Sequence, residues 1–135
     1  MDNNYVERVA KTAWHQILGS VGASVVMSWG ISRWFATEQE CHDGVYKACL
    51  ILQVSGLIHT GFVVVAYDGA SDTYEVLLEN LKGEPVGDWH TDVYCDEIGG
   101  LIDSLVEKPK DMTDDDYGRL SRIDSFIKML EDEGC

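Results

Sequence analysis

Apolar spacing in this chain switches from a helical period of about 3.6 to a strand period of 2 and back again, and that double switch constrains the fold most. At the start, Val6, Val9, Ala10, Ala13, Ile17 and Leu18 fall on one face of a helix. Asn4 with Glu7 three residues on has the form of a capping box, and Gly19 supplies a stop, so the spacing predicts a helix over 4–18. Val25, Met27, Trp29 and Ile31 then alternate with small or polar residues and read as a first strand, followed by a polar loop over 37–44. Tyr46, Ala48, Leu50, Leu52 and Val54 share one face of a second strand, with Lys47, Cys49 and Gln53 on the other. Ser55-Gly56 is a turn, and the unbroken apolar run Phe62 to Tyr67 reads as a central strand buried on both sides. Tyr74, Val76 and Leu78 alternate with Glu75 and Glu79 in a fourth strand, and Pro85 to about Thr91 reads as a polar edge strand. Helical spacing returns with Tyr94, Ile98, Leu101, Ile102, Leu105 and Val106, and stops at Lys108-Pro109. A last helix starts at Thr113 and runs through Leu120, Ile123, Ile127 and Leu130.

Each strand connection is too short for a parallel crossover, so neighbouring strands pair antiparallel. The expected fold is a two-layer α+β domain: a five-stranded antiparallel meander with helices on one face, in the order α-β-β-β-β-β-α-α. One globular domain spans residues 1–135, since a chain of this length buries roughly two thirds of its unfolded surface.

Charge narrows the classes of partner. The net charge is −14, but residues 1–36 carry +1 and the remainder −15. Such a chain repels phosphate backbones and anionic membranes, so no direct nucleic-acid binding is expected. No apolar run reaches about 18 residues, and Met1-Asp2-Asn3-Asn4 lacks a basic leader, so the expectation is a cytoplasmic protein with no membrane contact. Cys41, Cys49, Cys95 and Cys135 contain no C-x-x-C pair and read as reduced thiols.

Three short runs are spread over most of the chain: Ser28-Trp29-Gly30, Gly61-Phe62-Val63-Val64-Val65-Ala66 and Asp92-Val93-Tyr94-Cys95-Asp96-Glu97. In these the chain resembles small uncharacterised α+β proteins of gut Bacteroides-type bacteria and their mobile elements. That resemblance implies no activity and carries over no catalytic residue.

Asp88, His90 and Asp92 are the candidate metal ligands. At i, i+2 and i+4 of a regular strand they share one face, and two carboxylates with an imidazole suit Mn²⁺, Zn²⁺ or Fe²⁺. Asp96 and Glu97 follow closely, and the competing reading is the wet face of an edge strand. With Asp92 as an N-cap, Cys95 falls in the first turn of a helix, where its pKa would drop, but the surrounding acids oppose this. Its spacing with Ile98 and Ile102 favours a packed core cysteine. Cys41-His42 and the distant Cys49 lack the paired spacing of a zinc site. Gly99-Gly100 inside a helix points to close packing of another element. Phosphate loops, dinucleotide fingerprints, nucleophile elbows and H-E-x-x-H are all absent from the sequence, and no cofactor is expected.

The aromatic residues Trp29, Trp34, Phe35 and Trp89 are candidate interface anchors. Three helices cover one sheet face well, so the other face should expose apolar side chains that need a partner. The expected function is a non-enzymatic interaction module that binds a protein or a second copy of itself. The alternatives are a small metal-dependent hydrolase using Asp88, His90 and Asp92, and an acidic nucleic-acid mimic that inhibits a DNA-binding protein.

Overall fold

A computed structural model describes residues 2–107. Its elements are α1 (Asn3–Val21), α2 (Ala23–Ser28), β1 (Arg33–Glu40), β2 (Tyr46–Ser55), β3 (Thr60–Asp68), β4 (Thr73–Glu79), β5 (Pro85–Val93) and α3 (Ile98–Val106). The strands form one open antiparallel sheet in the order β1-β2-β3-β4-β5, with helices before and after it. This is the expected α+β meander. The expected helix over 113–130 lies outside the described residues, as does Cys135.

Helix α1 buries Val6, Ala10, Ala13, Ile17 and Leu18, the stripe that its periodicity predicts. Its ends differ from expectation by a few residues. Asp2, not Asn4, is the N-cap, and its side chain accepts from the Asn4 backbone N–H at 2.9 Å. The helix runs through Gly19 and stops at Gly22, whose φ of 84° is one that a side chain would strain.

The first strand is displaced from its expected place. Residues 25–31 alternate like a strand, yet Ala23–Ser28 is helical and buries Ala23 and Val26, with the buried C-cap Trp29 continuing the i, i+3 spacing. Strand preference of valine reflects packing on a pleated surface, and here α1 and α3 supply a helical contact instead. The strand forms at Arg33–Glu40, which includes part of the expected polar loop. As an edge strand it needs no apolar alternation, so its charged residues hid it.

Two apolar clusters sit on opposite faces of the sheet. The larger joins the helices to Leu50, Leu52, Val54, Val63, Val65, Val76 and Leu78. The smaller, on the far face, holds Cys41, Cys49, Ile51, Val64, Ala66 and Leu77, with Phe62 and Trp89 packed against it. Strand β3 feeds both, as an unbroken apolar run should.

The expectation of a bare apolar far face is therefore corrected: Cys49, Val64 and Ala66 there are completely buried. The sheet curls over itself. Gln39 Nε2 on β1 donates to Glu79 Oε2 on β4 at 3.3 Å, although two strands separate them in the sheet order. Twist accumulated over successive strands carries the end of β1 across that face.

Helix α3 closes on α1 through Gly99. Its N–H donates to Ser20 Oγ at 3.1 Å, and a Cβ built there would lie 2.1 Å from the same oxygen. Gly100 has open space around it, so of the glycine pair only Gly99 marks the close approach. Trp29 is wholly buried, and its indole Nε1–H donates to Asp103 Oδ1 on α3 at 2.9 Å. This removes Trp29 from the candidate interface.

Candidate functional site

A cleft of about 380 Å³ lies between α1 and the β3–β4 hairpin. One flank of α1 supplies Tyr5, Arg8, Val9, Thr12 and Gln16, spaced so that all five share a stripe beside the core-facing one. Tyr67, Asp72 and Tyr74 form the opposite wall, and Cys95 also lines the cleft.

The hydroxyls on that wall are fixed. Tyr67 donates to Asp72 Oδ1 at 2.7 Å, and Tyr74 donates to Gln16 Oε1, which ties the wall to α1. The hydrogen bond to Asp72 raises the Tyr67 pKa, with burial adding to it, so Tyr67 stays a phenol at neutral pH. The two rings lie 5.5 Å apart at a tilt of 55°. The Arg8 guanidinium sits 6.0 Å from the Tyr5 ring centroid and makes no ion pair among the described residues. The arrangement offers held aromatic faces beside one cation.

A second constellation lies where the β1–β2 turn meets β4. Lys47 and Glu75 are both buried, and Lys47 Nζ donates to Glu75 Oε2 at 2.8 Å and to Asp43 Oδ2 at 3.1 Å. Burial by itself would lower the Lys47 pKa, but the hydrogen bonds from its ammonium to Glu75 and Asp43 outweigh it and raise the value to about 12. The same ammonium holds the Asp43 carboxyl below its usual range. His42 Nδ1 lies 3.0 Å from Glu75 Oε1, and its ring is 6.4 Å from that of Trp89. Beneath this group, Cys49 is held protonated by its hydrogen bond with Cys41 and by burial.

The expected ligand trio is arranged differently from a regular strand. Val76 on β4 pairs with His90, but Tyr74 pairs with Val93 and Leu78 with Val86, so β5 carries extra residues on both sides of His90. Gly87 and Asp92 take positive φ, 78° and 56°, as such bulges require. The two-residue alternation that would align Asp88, His90 and Asp92 is thus broken; Asp88 and Asp92 are exposed, and His90 is half-buried. Among the described residues, the group whose ligand atoms all lie within 4.8 Å of one another is His42, Asp43 and Glu75.

Cys95 also departs from expectation. Helix α3 begins only at Ile98, with Glu97 as N-cap, so Cys95 lies in the preceding turn and is exposed rather than packed in the core. Of the aromatic candidates, Trp34 and Phe35 are exposed on β1, while Trp89 is half-buried against the far-face cluster.

Sequence reasoning missed Glu75 because its place in the β4 alternation puts it on the face opposite Tyr74 and Val76, where a carboxylate normally meets water. Among the described residues, the curl of the sheet brings the β1–β2 turn against it. The Tyr67–Tyr74 wall was also missed, since those residues read simply as strand positions. No family model, no curated protein and no solved structure matches this chain. Its function must be argued from its own geometry.

Proposed function

We propose that this chain is a binding module whose cleft takes a short protein segment presenting an aromatic or aliphatic side chain next to a carboxylate. The observation that carries the reading is the cleft itself, with its fixed tyrosines and the guanidinium of Arg8. Tyrosine and arginine are the residue types that most often dominate interface energies. The tyrosine hydroxyls are already bonded, so the ring faces offer contact without an unmet polar demand. The carboxylate follows from charge: α1 lies in the +1 part of a chain whose remainder is strongly acidic, and Arg8 is the cation lining the cleft.

The test is to pan a random linear peptide library against immobilised chain. Enrichment on the native chain that is lost with Thr12→Arg, an exposed helical position whose new side chain fills the cleft, supports the reading. An absence of enriched peptides, or equal enrichment on Thr12→Arg, rejects it.

A second reading rests on β1. Trp34 is 47% and Phe35 39% exposed on β1, which is an edge strand among the described residues. That edge suits a second copy of the chain paired across a twofold axis.

A further inference from the structure

Glu75 Oε1 is buried and accepts no hydrogen bond, although Glu75 is only 2% exposed and Oε2 on the same carboxylate is tied to Lys47. A buried carboxylate oxygen without a donor is costly, and such an atom needs an explanation. Its nearest polar neighbour deepens the difficulty. His42 Nδ1 stands 3.0 Å away but is not aligned to donate. That separation is favourable when positive charge, an imidazole proton or a bound cation, lies between the two atoms. Lys47 does not supply it, because its ammonium is engaged by Glu75 Oε2 and Asp43 Oδ2.

We infer that His42, Asp43 and Glu75 form a site for a borderline divalent cation of the Mn²⁺ or Zn²⁺ class. Glu75, locked on the central part of β4 by Lys47, is the fixed ligand. His42 and Asp43 are exposed and adjacent on the β1–β2 turn, so they close onto the ion by small side-chain movements. Ligand atoms within 4.8 Å of one another can be spanned by metal–ligand bonds of about 2.0–2.6 Å after such movements. One imidazole with two carboxylates favours these ions over Mg²⁺ and Ca²⁺, which prefer oxygen alone. The charge also fits: Asp43 and Glu75 against Lys47 leave one net negative charge with the imidazole neutral. Three protein ligands leave coordination positions for water, and the half-exposed His42 gives the ion a way in.

Thermal denaturation of the full chain in the Cys95→Ser background, with MnCl₂ or ZnCl₂ from micromolar to millimolar, tests the inference. The melting temperature should rise with metal concentration by mass action. His42→Ala and Asp43→Asn, both at exposed positions, should remove most of the rise, while His90→Ala should keep it. Bound Mn²⁺ should also broaden the backbone amide resonances of residues 42, 43 and 75 before those of residues 88–92. No rise at millimolar metal would overturn the inference. So would a rise that survives His42→Ala, or one that disappears with His90→Ala, which would place the ion on β5 instead.

Discussion

Replacing Lys47 by Met removes one partner of a buried ion pair while keeping most of the apolar stem. At 2.8 Å and an effective dielectric of about 20, the Lys47–Glu75 attraction is about 6 kcal/mol, most of it offset by the desolvation of both ions. The variant therefore loses little net attraction but leaves the Glu75 carboxylate buried without its cation. Its cheapest escape is to bind a proton. For a carboxyl that titrates near 4.3 in the unfolded chain, this costs about 3.7 kcal/mol at pH 7 and about 1 kcal/mol at pH 5. In the variant the folded carboxyl holds its proton to higher pH than the unfolded one, so stability is retained at low pH and lost as pH rises. Urea denaturation at both pH values should show Lys47→Met less stable than the native chain by roughly 3–4 kcal/mol at pH 7, and by much less at pH 5. Adding Glu75→Leu should recover most of the loss at pH 7, because it removes the unpaired charge. A loss below about 1 kcal/mol at pH 7, an equal loss at both pH values, or no recovery in the double variant would refute this account of the pair.

Other perturbations separate the remaining claims. Because the Lys47 pKa is raised to about 12, its stabilisation is complete below its unfolded value of 10.5 and is lost as pH rises through about 12; the stability gap between native chain and Lys47→Met should narrow across that window in urea titrations. Gly99→Ala should destabilise by about 1–3 kcal/mol, since the new Cβ meets Ser20 and Val21, whereas Gly100→Ala should stabilise by up to about 1 kcal/mol; equal effects in denaturation would contradict the close approach. Trp29→Phe should cost about 2–3 kcal/mol through the lost hydrogen bond to Asp103 and the space left behind, read from the shift in urea midpoint. Self-association through β1 should strengthen with salt, because screening weakens repulsion between chains of charge −14; sedimentation at tens of micromolar should show this, and Trp34→Ala with Phe35→Ala should abolish it.

Local periodicity was enough to determine α1, the pairing of β2, β3 and β4, the double-sided burial of β3, and the antiparallel order of the sheet. Each is written in which side chains must leave water, and short connections leave one way to join neighbouring strands. The Gly99-Gly100 pair likewise announced a close approach, though only the packing shows that Gly99 is the one that needs it. Tertiary structure decided what depends on sums over several elements. Helix α2 carries a strand-like alternation, but contacts with α1 and α3 outweigh it, and β1 was hidden because an edge strand can be charged. On β5 the bulges around His90 break the alignment that a regular strand would impose. Burial of Glu75 is the furthest from local sequence. Strand alternation puts it on the outer face, and only twist accumulated across the sheet brings the β1–β2 turn over that face and sets His42, Asp43 and Lys47 around the carboxylate.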